Sequence, residues 1–121
     1  LGGVNKVIIN KDRDLETGSI SVKISEGKVR GSCFIVDDII STGKTITDSV
    51  DVLLQNGAGE VYIMATHPVF APGAVNLLKN SKAKKIFVTD TVEVLEENKL
   101  EKLEILSVAE IISREFKKKY N

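Results

Sequence analysis

Two carboxylates, Asp37 and Asp38, stand just ahead of a run of hydroxyl, glycine and ammonium groups, Ser41-Thr42-Gly43-Lys44-Thr45. Hydroxyls, backbone amides and a lysine are donors suited to phosphate oxygens, whereas carboxylates accept from sugar hydroxyls or take a divalent cation. The acids would repel an anion placed directly on them. The ligand suited to this order therefore puts a monophosphate on the loop and neutral hydroxyls, with or without a metal, beside Asp37 and Asp38.

The flanking elements must hold those groups at one rim. Cys33 to Val36 is short and apolar, and reads as a strand buried on both faces of a parallel sheet. The loop then starts at a strand's carboxyl end, where open α/β sheets bind ligands. A helical pattern follows from Thr45 to Asn56, with Ile46, Val50, Val52, Leu53 and Leu54 as its apolar set. A helix N-terminus favours an anion by about 0.3–1 kcal/mol, and more when partly buried. Gly43-Lys44-Thr45 resembles the end of a nucleotide P-loop, but Asp38 stands where that motif needs its first glycine, which excludes it. On residue types alone, Asp37 and Asp38 could instead solvate a strand end while Ser41 and Thr42 cap the helix.

At 121 residues the chain is of single-domain size. It carries 17 basic and 17 acidic residues and few aromatics, which removes any electrostatic case for nucleic acid. Lys117-Lys118-Lys119 reads as a solvated helix end. No apolar run reaches the ~18–20 residues that span a bilayer, and no charged stretch precedes an apolar core as in a secretory leader, so a cytoplasmic location is expected. The one cysteine, Cys33, excludes an internal disulfide and reads as a buried structural thiol.

Further strands are expected at Glu60 to Thr66, Lys84 to Thr89 and Leu103 to Leu106, with a helix from Pro72 to Asn80. A last helix from Ser107 to Tyr120 opens on a Ser107/Glu110 capping box, and Val108, Ile111, Ile112 and Phe116 are expected to face the sheet. At the front, Val7-Ile8-Ile9 and Ile20 to Ile24 read as strands joined by a flexible arm, Asn10 to Ser19. The fold class is α/β, a largely parallel sheet flanked by helices in one domain over residues 1–121.

The acids and loop resemble the ribose-phosphate signature of the type I phosphoribosyltransferases, and that resemblance supplies the sugar, ribose 5-phosphate, held by Asp37, Asp38, Ser41, Thr42, Gly43, Lys44 and Thr45. Within that group, Ala65-Thr66-His67-Pro68-Val69-Phe70-Ala71-Pro72-Gly73-Ala74, Lys85 to Thr91 and Ile105 to Ile112 resemble the carboxyl-terminal half of the ribose-phosphate diphosphokinases. The resemblance implies a phosphoribosyltransferase-like fold and transfer of the diphosphoryl group of ATP to the anomeric hydroxyl of ribose 5-phosphate, giving phosphoribosyl diphosphate and AMP for nucleotide biosynthesis. It implies Mg2+, with Asp37 and Asp38 reaching the ion through the bound ribose, and a homo-oligomer.

The same family carries a lysine and, two residues on, an arginine on a mobile arm; Lys11 and Arg13 match it. The resemblance makes both catalytic, Lys11 on the transferring group and Arg13 on phosphate or ribose-side oxygens. Composition alone reads them as part of an exposed charged loop. His67, the one histidine, and Asp90 also follow strands at this rim; a second-layer role suits His67 and a turn or nucleotide-side role suits Asp90.

The resemblance further implies that the chain is the carboxyl-terminal domain of a two-domain enzyme about twice as long, and the opening Leu1-Gly2-Gly3, without an initiator methionine, suits a fragment with low or no activity alone. Two other readings stay open: a nucleobase phosphoribosyltransferase using the same loop for phosphoribosyl diphosphate, and a catalytically inactive regulatory homologue.

Overall fold

The computed structural model describes residues 4–120; Leu1-Gly2-Gly3 lies outside them. It contains a hairpin, β1 (Ile8–Arg13) and β2 (Ile20–Glu26), followed by β3 (Ser32–Ile40), α1 (Lys44–Gln55), β4 (Glu60–Pro68), α2 (Ala74–Asn80), β5 (Lys85–Thr89), a 3-10 turn (Glu96–Asn98), β6 (Leu103–Leu106) and α3 (Ala109–Tyr120). β3, β4, β5 and β6 form a parallel sheet in that spatial order, and β1 and β2 pair antiparallel as a separate ribbon. The expected α/β class and parallel sheet are present.

Right-handed crossovers repeated in one direction along a sheet place every connecting helix on the same face. The burial pattern shows that outcome. Val61, Ile63 and Ala65 of β4 and Ile86 and Val88 of β5 are buried against Ile46, Val50 and Leu53 of α1 and Leu78 of α2. The alternate residues point away from the helices, leaving Phe34, Val36, Met64 and Leu106 exposed, with Phe34 and Tyr62 stacked at 5.0 Å between ring centroids. The expectation that Cys33 to Val36 is buried on both faces is therefore corrected. β3 is the edge strand of a sheet covered by helices on one side, and its side chains alternate between half-buried and exposed. Cys33 is likewise half-buried rather than buried, its Sγ 3.8 Å from Arg30 O.

The hairpin packs on α1 through β2, with Val22 buried and Val7, Ile9 and Ile24 against the core. Asn10 to Arg13, expected in the arm, extend β1 and pair with Ile20 to Lys23, so the arm between the strands shortens to Asp14–Ser19. Asp14 closes it: its Oδ1 accepts the amides of Glu16 and Thr17 at 2.8 and 3.0 Å, and its own amide donates to Ser19 O at 2.8 Å. That is the Asx-turn chemistry that lets a short polar stretch reverse a chain.

α3 departs from the expected packing. Its apolar stripe exists, but Ile111, Ile112, Phe116 and Tyr120 are all exposed, and none of its residues is buried. Ser107 Oγ accepts the Ala109 amide at 3.2 Å, one residue short of the Glu110 amide that the expected capping box would use.

Candidate functional site

β3 delivers the two acids to the carboxyl rim of the sheet. Asp37 stands in register with Ala65 and Ile39 with His67, which brings His67 to the strand beside the acids. Both carboxylates are exposed, and Asp37 Oδ1 accepts the amide of Asp38 at 2.8 Å. Among the described residues neither acid has a salt-bridge partner, so both remain available to a ligand.

The chain turns from β3 into α1 at Gly43, whose φ of 77° is left-handed and which serves as the helix N-cap without a side-chain cap. Ser41 and Thr42 are exposed, and Thr42 Oγ1 receives the Lys44 amide only at a long 3.5 Å. First-turn amides have no partner inside a helix, and Gly43 has no side chain to cap them, so beyond the long Thr42 contact the N-terminus of α1 presents donors to the rim. Of the helix-capping alternative, only this long Thr42–Lys44 contact is present among the described residues. The Lys44 ammonium is paired with Asp48 one turn along α1. Thr45 bonds inward through its carbonyl, which accepts Ser49 Oγ at 2.8 Å.

A cleft of about 480 Å³ runs along the edge strand between the hairpin and β3, and its lining includes Lys11, Asp37 and Thr45. The structure therefore brings one residue from each of the three expected groups to a single cavity. Arg13, Asp38 and Ser41 to Lys44 do not line it. The two-residue spacing of Lys11 and Arg13 falls on a strand, which puts both side chains on the same face of the hairpin, the face that carries Ile9 and Val22. Asp12 points to the other face, 3.7 Å from Lys23, and among the described residues Lys11 and Arg13 have no ion-pair partner.

Two neighbouring rims complete the site. His67 Nδ1 lies 2.7 Å from Thr91 Oγ1, a residue with no role in the sequence reading; Thr91 Oγ1 is also 3.1 Å from Thr66 O, and Thr89 Oγ1 donates to Thr66 O at 2.7 Å. Asp90, between them, accepts the Val108 amide at 2.9 Å, and this bond, with the Ser107 hydroxyl, holds its carboxyl below the usual range. Asp90 thus ties the start of α3 to β5. The loop after β4 also supports the loop between β3 and α1: the amides of Phe70 and Ala71 donate to Ile40 O and Ser41 O, each at 3.0 Å. The sequence signal for this contact was the run Pro68-Val69-Phe70-Ala71-Pro72-Gly73, two prolines and a glycine around a rigid turn.

No group of three metal-ligating side chains occurs among the described residues. Mg2+ commonly keeps its waters and takes one or two carboxylates plus substrate oxygens, and the exposed Asp37–Asp38 pair fits that mode rather than an all-protein cage.

Comparison with known proteins gives concordant matches. A ribose-phosphate pyrophosphokinase of Streptomyces coelicolor is 36% identical over 120 residues, covering 98% of this chain and 37% of that protein. One from Mycobacterium leprae is 36% identical over 116 residues, covering 93% and 35%. The crystal structure of a phosphoribosylpyrophosphate synthetase from Mycobacterium smegmatis superposes with a TM-score of 0.82 at 33% identity, covering 98% of this chain and 38% of that one. The chain thus spans somewhat over a third of the length of these relatives, which corrects the expected correspondence to a half. Residues 18–121 match the family model of the phosphoribosyl synthetase-associated domain, and the chain belongs to that family.

Proposed function

We propose that this chain binds ribose 5-phosphate at the carboxyl rim of β3 and that, in an enzyme of its relatives' length, it serves transfer of the diphosphoryl group of ATP to the anomeric hydroxyl, giving phosphoribosyl diphosphate and AMP. The observation that carries this reading is the convergence of Lys11, Asp37 and Thr45 on one cleft beside the open N-terminus of α1. The names of the relatives, ribose-phosphate pyrophosphokinase and phosphoribosylpyrophosphate synthetase, support it.

In this reading the loop Ser41–Thr45 takes the 5-phosphate through backbone amides and hydroxyls, and Asp37 and Asp38 accept from the ribose hydroxyls. Lys44, paired with Asp48, contributes its backbone amide rather than a free ammonium. Lys11 and Arg13 face the transferring group from the hairpin, where positioned cations stabilise charge developing on phosphoryl oxygens. Asp37 and Asp38 would hold Mg2+, which would supply further charge neutralisation. A homo-oligomer is part of the same proposal; the bare apolar stripe of α3 and the open sheet face are surfaces that an assembly would cover.

Calorimetry with Mg2+ tests the binding step. Saturable binding of ribose 5-phosphate that is lost with ribose, and lost again in Asp37→Ala, is the expected result. A folded chain that fails to bind, or that binds ribose equally well, sinks the assignment of the loop.

A further inference from the structure

Phe70 has a φ of 46°, the one non-glycine residue with positive φ among those described. Left-handed backbone is uncommon for a bulky side chain and costs roughly 1–3 kcal/mol, so it persists only where surrounding contacts over-determine it. Here the contacts are specific. The strained residue and its successor direct consecutive amides onto Ile40 O and Ser41 O, the two carbonyls at which β3 ends and the loop begins. From the other side, the start of α2 closes on the loop, since a Cβ added to Gly43 would lie 3.6 Å from both Ala74 O and the Leu78 side chain. Segment 69–74 thus bridges the end of β4 to the first residues of the loop.

We infer that the left-handed turn at Phe70 is a positioning device for the phosphate loop: it fixes the direction of the Ile40 and Ser41 peptides and so the aim of the donors that follow. This inference rests on the proposed binding of ribose 5-phosphate. Peptide 40–41 is the joint between a strand whose register is set by β4 and a helix whose N-terminus is set by Gly43. Holding the carbonyls of Ile40 and Ser41 on the amides of Phe70 and Ala71 commits the intervening donors to one orientation before a ligand arrives, which lowers the ordering cost of binding.

The competing explanation for Phe70 is packing, because its ring lies partly buried against the core. Two substitutions separate them. Asn tolerates left-handed backbone but forfeits the apolar ring, whereas Val keeps apolar bulk but is β-branched and resists positive φ. Calorimetric titration of the whole chain with ribose 5-phosphate and Mg2+, with folded state checked by circular dichroism, should place Phe70→Asn within about threefold of the parent affinity. Phe70→Val should bind at least about tenfold more weakly. The opposite order, equal affinities in the two, or a tenfold loss in folded Phe70→Asn overturns the inference. Should Phe70→Val not fold, the Asn variant alone decides. If the parent chain shows no phosphate-dependent binding, the proposed function fails and takes this inference with it; if the parent binds and the variants do not separate as stated, this inference fails alone.

Discussion

His67 Nδ1 and Thr91 Oγ1 are 2.7 Å apart, although 24 positions separate them in the chain, and their contact joins the ends of β4 and β5 at the rim that carries Asp37. Each threonine hydroxyl has a single proton to give, and Thr66 O can accept two. The contacts among Thr66, Thr89 and Thr91 therefore restrict the rotor of Thr91 and, through it, the imidazole. Thr91→Val keeps the shape and removes the partner. We expect the tautomer balance of His67, read from nitrogen chemical shifts, to change, with global stability lowered by only about 1 kcal/mol. An unchanged imidazole spectrum would show that the ring does not depend on Thr91.

Lys11 lines the cleft beside Asp37 from a different sheet. If its cation serves the diphosphoryl group, as proposed, it should matter more to a ligand bearing diphosphate. Lys11→Ala is expected to weaken phosphoribosyl diphosphate binding about tenfold or more, and ribose 5-phosphate binding less, an interval of about 1.4 kcal/mol per tenfold. Equal losses for both ligands in paired titrations would remove Lys11 from the diphosphoryl end.

Gly43 is required by conformation rather than by crowding. A Cβ there would meet its nearest neighbours at 3.6 Å, an ordinary contact, but at φ 77° an L side chain is strained. Gly43→Ala should cost about 1–2 kcal/mol in urea unfolding and weaken ribose 5-phosphate binding in step with the altered loop. A variant as stable as the parent would mean that the loop relaxes to another path.

The carboxyls of Asp14 and Asp90 are held below their ordinary value of 3.8: Asp14 chiefly by the Thr17 amide and then Glu16, Asp90 chiefly by the Val108 amide and then the Ser107 hydroxyl. A depressed folded value means that the unfolded chain takes up protons first on acidification. Their contribution to stability is thus complete above about pH 5 and is lost as pH falls through the folded values. Asp90→Asn, which can still accept from Val108, should flatten the acid limb of a plot of urea midpoint against pH. An unaltered slope would place the titrating groups elsewhere.

The two apolar surfaces should differ sharply in energy. Ile63, fully buried between β4 and the helices, is expected to cost about 2–5 kcal/mol on truncation to Ala. Ile111→Ala, on the uncovered stripe of α3, should change urea stability by no more than about 0.5 kcal/mol. A large loss at Ile111 would show that α3 is covered in solution.

Local pattern carried most of the fold into the sequence. Alternating or continuous apolar runs located the strands of the parallel sheet, and the limits of β6 match the expected Leu103 to Leu106. Asp37, Asp38 and the Ser41–Thr45 loop were legible because strand, acids, hydroxyls and glycine are contiguous. What escaped was set by distant partners. Whether Cys33 to Val36 is covered on one face or two depends on where the other helices lie, and the apolar stripe of α3 does not say what it meets. Lys11 and Arg13 look like loop residues until Val22 and Ile20 pair with them. Thr91 and Phe70 owe their roles to contacts across strands, for which no spacing rule exists.

The order of strands in the sheet is the order of strands in the chain. Each new strand therefore meets a template made just before it, and the connecting segments close short loops, so the sheet can be laid down progressively during synthesis at about 5–20 residues per second. The loop Ser41–Thr45 leaves the ribosome with β3, yet the amides that hold the Ile40 and Ser41 carbonyls arrive with residues 70 and 71. On this schedule the candidate site matures one crossover behind the strand that begins it, and a nascent chain halted before β4 would have the acids and the glycine but not the fixed peptide between them.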